Sequence, residues 1–396
     1  MVIAQEPVPS DDLKACPLSG MCREVIVLSA PGVNDPARRR FNPWTTIGNR
    51  IRNIFASPFP NQIQAWFSSD VVHALNRLRR SQSFESVWVE RPFLAELARK
   101  AGFRHLMVDV DNIESVCLFR QLWHSPSYLS KVTHYADFLK MWLYELMLPW
   151  RYQRLIVCKE EDRYFFKTRR NNVFVVPNGV EDFPKPSRTS ECPNGLLFVG
   201  SMNYEPNIDA VRYFVDEIAP YLRSLAPEAR LRVVGRGPFS DPKVSGNDIV
   251  SDVELDVPDV APYFADAAVV VAPIRLGSGT RLKILESLAR GKAVVATPTA
   301  VEGLDLTAGE DIEIAANPVE FAAACARLLS DPDARARLGD SGRRKVLRLY
   351  RWENIGRIAE RIVNSQVKGN ACVSCTNDYQ AMKIKTIFHR RPGSDA

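Results

Sequence analysis

Short apolar runs alternate with amphipathic stretches along most of the chain. In the C-terminal half, Leu196-Leu197-Phe198-Val199-Gly200 reads as a buried strand closed by a glycine turn. Leu231-Arg232-Val233-Val234-Gly235, Val269 to Ala272 and Val294 to Ala296 repeat that signal. Between them, Ile208 to Leu222 and Arg281 to Ala289 have helical periodicity, the second stopping at Gly291. The N-terminal half follows the same rhythm, with strands at Glu24 to Ser29, Phe84 to Glu90, His105 to Val110 and Leu155 to Lys159. Helices are expected to end at Arg77-Leu78-Arg79-Arg80 and to span Pro92 to Ala101. Strands alternating with helices at this spacing predict an α/β protein with doubly wound parallel sheets, whose ligands lie at the carboxyl ends of the strands.

Length and composition narrow the picture. With 396 residues the chain is long enough for two domains, each burying its own core. Hydrophobic residues make up 46% and charged residues 25%, as in ordinary globular proteins, and no run approaches a transmembrane span. The first sixteen residues lack the basic and apolar regions of a secretion signal. Eight scattered cysteines in a chain of this length read as reduced thiols, which points to the cytoplasm, and the lone Cys372-Val-Ser-Cys375 has no second pair to complete a zinc site. The net charge of +6 sits in the first half, where residues 1–190 hold 26 Lys and Arg against 19 Asp and Glu. Arg38-Arg39-Arg40-Phe41-Asn42-Pro43-Trp44 mixes basic and aromatic residues in a way that suits either a solvated face or peripheral membrane contact; no nucleic-acid module accompanies it.

The segment that carries chemistry is 273–299, PIRLGSGTRLKILESLARGKAVVATPT. A strand runs into the glycine loop Gly277-Ser278-Gly279-Thr280 and then into a helix. That arrangement presents free N–H groups and the positive end of a helix dipole, a ready anion site. Arg281 and Lys283 stand in the first turn, where cations oppose the dipole, so an anion nearby accounts for them. Glu286, one turn after Lys283, is within reach of hydroxyl groups on whatever bears that anion. Anion, cations and a carboxylate together point to a nucleotide diphosphate joined to a sugar.

This segment resembles the nucleotide-sugar signature of the GT-B glycosyltransferases, most closely glycosyltransferase family 4 in a polysaccharide-associated branch. Glu286 matches the glutamate that binds ribose hydroxyls in the family. Ser278 stands where the usual signature has its first glutamate, a substitution that goes with the G-S-G-T-R-x-K-x-L-E variant. The loop Ser201-Met202-Asn203 lacks the phosphate-binding Arg and Lys of many members, which leaves the charge to Arg281 and Lys283; Asn207 is read as a helix cap. Arg236, in Gly235-Arg236-Gly237-Pro238, faces either the diphosphate or solvent. The resemblance implies two Rossmann-like domains facing a cleft, a nucleotide-sugar donor, a glycan or lipid-linked acceptor, retention of anomeric configuration and no obligatory metal or other cofactor. It also implies a first domain over 1–183, with Val176-Pro177-Asn178-Gly179-Val180 as hinge, a donor domain over 184–350 and a crossover helix over 351–365. The stretch 366–396 is expected to be a disordered tail.

The start departs from the family, which opens with a strand, a glycine loop and a helix. Read from Met1, this chain lacks them, so its first domain is expected to be incomplete. Asp109-Val110-Asp111 spells D-x-D, a manganese feature of GT-A enzymes, but it is short and lies outside the nucleotide-loop domain, so no metal is assigned. In the family the position of Asp111 is a His beside the reacting sugar. A carboxylate there either accepts a sugar hydroxyl or stabilises positive charge near the anomeric carbon, or it only caps Asn112 to Cys117. Two other readings stay open: a truncated, non-catalytic nucleotide-binding domain, and a GT-B sugar epimerase.

Overall fold

The computed structural model describes residues 69–124, 128–166, 171–187 and 191–367. The expected strand at Glu24 to Ser29, the basic stretch Arg38–Trp44, the opening of the first domain and Cys372-Val-Ser-Cys375 lie outside them. The chain divides into two compact units at Val176 and Pro177, inside the V-P-N-G-V stretch, and returns to the first unit at Ala359.

The first unit contains α1 (Ser69–Ser81), β1 (Val87–Glu90), α2 (Pro92–Lys100), β2 (Leu106–Val110), α3 (Glu114–His124), α4 (Tyr128–Arg151), β3 (Arg154–Val157), α5 (Glu160–Phe166) and β4 (Val173–Val175). Its described strands form one parallel sheet in the order β1-β2-β3-β4. β2 is buried at every position, as a parallel strand covered on both faces must be. Parallel strands need crossovers, and α2 and the α3–α4 pair supply them. Helix α4, whose apolar residues lack a single stripe, is an element that sequence periodicity does not reveal.

The second unit holds β5 (Cys192–Ser201), α6 (Glu205–Tyr213), a π turn (Phe214–Ile218), α7 (Ala219–Leu225), β6 (Arg230–Arg236), α8 (Pro242–Ser245), β7 (Val250–Leu255), α9 (Ala261–Asp266), β8 (Ala267–Ala272), α10 (Leu282–Ala289), β9 (Ala293–Ala296), β10 (Glu313–Ile314), α11 (Pro318–Ser330) and α12 (Pro332–Tyr350). The parallel sheet runs β10-β9-β8-β5-β6-β7, the doubly wound dinucleotide-binding order. Sequential winding therefore reverses between β5 and β8. The helix expected over 208–222 begins at Glu205, and its middle widens into the π turn. Pro220 explains the widening: it has no N–H for a carbonyl one turn back, and the wider turn accommodates its ring. α11 and α12 start cleanly because Asn317 and Asp331 cap them and Pro318 and Pro332 occupy their first positions.

At the base of this sheet, Lys292 is buried and donates to Glu191 Oε1 at 2.8 Å and to the Ala267 carbonyl at 2.8 Å, while Arg335 stands 3.7 Å from the other Glu191 oxygen. The last helix, α13 (Trp352–Val367), begins in the second unit and ends in the first. There Arg154 donates to the Ile362 carbonyl at 2.6 Å. The helix includes Gln366 and Val367, which the sequence assigned to the tail.

Candidate functional site

The sheet order places a crevice at the carboxyl ends of β5 and β8. Beyond β8 lies the glycine loop, with Gly277 at φ 93° and Gly279 at φ 72°, angles that a side chain would strain. The amides of Gly279 and Thr280 make no hydrogen bond among the described residues, and neither does the buried Thr280 hydroxyl. Ser278 is buried in the loop. Such unmet donors are what a polar ligand or water would fill.

Arg281 is the residue that opens α10 rather than a member of its first turn. Its guanidinium turns back on the loop, donating to the carbonyls of Ser278, Gly279 (2.8 Å) and Leu276 (3.1 Å). It thus holds the loop shape and contributes its charge from beneath. Glu286 pairs with Arg290 at 3.1 Å through Oε1 and stays partly exposed, with no bond to Oε2 among the described residues. Arg290 is fixed over the rings of Phe183 (4.0 Å) and Phe264 (4.9 Å). Arg236 closes β6 level with Ser201 and has no side-chain partner among the described residues.

Lys283 spans the reversal point. Its ammonium donates to Asn207 Oδ1 at 2.7 Å and lies 4.2 Å from the centre of the Phe198 ring. Asn207 is therefore not a cap, as the sequence suggested. It lies inside α6, buried, and its amide nitrogen donates to the Ser201 carbonyl at 2.8 Å, tying α6 to the end of β5. Two glycines make room for this contact. A Cβ on Gly200 would stand 2.8 Å from the lysine nitrogen and 2.9 Å from the Asn207 amide. A Cβ on Gly235 would stand 1.8 Å from the Gly200 carbonyl oxygen. No carboxylate forms a salt bridge with Lys283 among the described residues. Burial, reinforced by the Arg281 charge, lowers its pKa to about 7. Its ammonium is costly in this setting and would gain from a neighbouring anion.

The remaining predicted residue, Asp111, lies in the first unit just past β2. It is buried, and the Cys158 thiol donates to its Oδ1 at 3.3 Å. It shares a small pocket with Arg91, Asn112, Glu114, Tyr144 and Glu145. Glu145 caps the following helix, accepting from the Glu114 amide at 2.7 Å and the Ser115 amide at 3.2 Å. Burial raises the Glu145 pKa to about 8. Arg91 carries a left-handed φ of 71°, a strained angle for a non-glycine residue beside a pocket. Sequence spacing could not foresee Asn207, Arg91 or Glu145 in these places, because each acts on a residue far away in the chain.

These features define the class: two Rossmann-like units of the GT-B fold, the second with a phosphate-type loop at its reversal point. Residues 193–331, which lie within the second unit, match the family described as glycosyl transferases group 1. Similar solved structures share the fold at low identity. TarM of S. aureus is 16% identical with a TM-score of 0.57, covering 76% of this chain and 59% of its own. The sucrose-phosphate synthase of Thermosynechococcus elongatus is 14% identical with a TM-score of 0.57, covering 75% of each chain. Anabaena Alr3699/HepE, solved in complex with UDP and glucose, is 11% identical with a TM-score of 0.56, covering 93% of this chain and 96% of its own. No curated protein sequence matches the chain.

Proposed function

We propose that the protein is a retaining glycosyltransferase that moves a sugar from a nucleotide-diphosphate donor to a glycan or lipid-linked acceptor, in envelope or exopolysaccharide synthesis. It would act from the cytoplasm as a peripheral protein on the inner face of the cell membrane. The observation that carries this reading is the Lys283 ammonium, held on Asn207 at the reversal point, on the helix that follows a glycine loop whose Gly279 and Thr280 amides make no hydrogen bond among the described residues. That is a preorganised positive field. UDP and glucose in the HepE complex support a donor of this kind here.

In this reading the diphosphate lies against Lys283, the loop amides and Arg236, while Glu286 accepts from the ribose hydroxyls. The anomeric carbon–oxygen bond to the diphosphate breaks as the acceptor hydroxyl oxygen bonds on the same face. The acceptor proton passes to a phosphate oxygen of the leaving group, so no protein base is needed. Asp111 would bond a sugar hydroxyl or stabilise the positive carbon. Titration calorimetry with UDP and GDP on the wild type and on Lys283→Ala tests the site. Loss of one charge-assisted contact should weaken binding by about 1.5–3 kcal/mol. Equal affinity in both proteins would remove Lys283 from the site, and binding without sugar transfer to any acceptor would leave a nucleotide-binding module.

A further inference from the structure

Where lysines are held inside the two units, carboxylates face them. Lys159 stands 3.7 Å from Asp162, Lys292 2.8 Å from Glu191 and Lys345 2.9 Å from Asp311. Lys283 is treated differently. Its one hydrogen bond among the described residues goes to a neutral amide, Asn207 Oδ1 at 2.7 Å, and the Phe198 ring supports the ammonium from a second side at 4.2 Å. The amide has one workable orientation. Lysine only donates and the Ser201 carbonyl only accepts, so Oδ1 must face the first and the amide nitrogen the second, at 2.8 Å. Asn207 is also clamped by packing: it is buried in the first turn of α6, and a Cβ on Gly200 would come within 2.9 Å of its side-chain amide.

We propose that Asn207 is the positioning residue for the donor diphosphate: it fixes the Lys283 ammonium at the reversal point without neutralising it. The proposal rests on the nucleotide reading above and assigns the holder of its cation. A carboxylate at this position would hold the lysine as well, but it would satisfy the charge and repel phosphate oxygens. An alanine would leave the ammonium with one acceptor fewer and more rotamers to visit. Asparagine accepts from the lysine, donates back to the end of β5 and adds no charge. The charged groups on the surrounding elements do not take over the role. Arg281, from the loop, is a like charge that works against the ammonium, and Arg236, at the end of β6, is another cation. On α6, Asp209 is engaged by Arg275 at 2.8 Å, Arg212 by Asp241 at 2.7 Å, and Glu205 is exposed. On α10, Glu286 pairs with Arg290 at 3.1 Å. An arriving anion therefore meets a lysine whose charge is held in place but not spent.

The test is titration of the full chain with UDP, and with GDP alongside, followed by phosphorus NMR, which reads weak binding. The samples are the wild type, Asn207→Ala, Asn207→Asp, Lys283→Ala and Asn207→Ala/Lys283→Ala, each compared with wild type at the same pH so that the nucleotide's own titration cancels. Circular dichroism reports the fold of each. Asn207→Ala should weaken UDP binding about tenfold on the acid side of neutrality, one decade in an equilibrium constant. In the Lys283→Ala background the same change should cost less than about twofold, because an effect exerted through the lysine vanishes with it. The pH at which affinity begins to fall should move in opposite directions. It should drop in Asn207→Ala, where the ammonium has lost an acceptor, and rise in Asn207→Asp, where a carboxylate stabilises it. Asn207→Asp should still bind UDP more weakly than the wild type at acid pH, and being close in size it carries the pH test alone if Asn207→Ala does not fold. A purely structural asparagine would weaken binding equally in both backgrounds and leave the pH profile in place; either result overturns the proposal, as does unchanged binding by folded Asn207→Ala. A folded wild type that bound neither UDP nor GDP would refute the nucleotide reading itself, and the proposal with it.

Discussion

At the scale of single residues the site depends on a half-buried cation and the glycines that make room for it. Burial lowers the Lys283 pKa to about 7, and an anion beside it would raise that value. Binding then takes up a proton, so UDP affinity should be greatest below the free-site pKa and fall as pH rises through it. The decline should be roughly tenfold per pH unit at most, continuing up to the pKa of the bound form. Lys283→Arg, which stays charged, should flatten the profile; a wild-type affinity unchanged between about pH 7.5 and 9 would contradict the linkage. Gly200→Ala tests the same contact sterically. Its Cβ would meet the lysine nitrogen and the Asn207 amide, both closer than real contacts allow. The variant should cost about 1–3 kcal/mol in stability by denaturant titration and weaken UDP binding, whereas an alanine that changed neither would show that the contact is slack. The loop glycines and Lys283 were legible because strand, glycine loop and helix are contiguous in sequence. Asn207, 76 residues from Lys283, was legible only as a polar residue near a helix start, and a cap was the local reading.

At the scale of elements, apolar runs marked the strands well, since a parallel strand buried on both faces shows as an unbroken run. Helices were harder to bound. Pro220 altered one from within, and α4 escaped because apolar residues on two faces erase the single stripe that periodicity detects. The join between α3 and α4 carries its own prediction. Burial holds the Glu145 carboxyl protonated to about pH 8, far above its ordinary value of 4.5. With the folded pKa raised, the native state binds more protons than the unfolded chain between those values. Stability of this unit should therefore fall as pH rises from about 5 to 8. Glu145→Gln, which cannot ionise, should give a flatter melting-temperature profile over that range, offset downward because its –NH2 faces an amide donor. A wild-type profile with no slope attributable to Glu145 would place the carboxyl in a wetter setting than its burial implies.

At the scale of the whole molecule, each unit has its own sheet and its own core. The order of the second sheet, which places the β5–β8 crevice, is not written in any one motif; it follows from the crossovers. In the reading above, fixed cations and amides meet the charge of the leaving diphosphate, so sugar transfer should survive EDTA. Activity that disappears with chelator and returns with manganese would bring Asp109 and Asp111 back as metal ligands. Arg281 has a consequence of another kind. By binding three loop carbonyls from below it keeps the glycine loop in shape before any ligand arrives. Little chain order then has to be created on binding, and the heat measured should come largely from electrostatics and from proton traffic at Lys283. That traffic can be counted. At about pH 7.5, UDP binding should draw most of a proton from the medium. The apparent enthalpy should then differ between two non-phosphate buffers such as HEPES and Tris by roughly three quarters of the difference in their ionisation heats, and in Lys283→Arg the two buffers should agree.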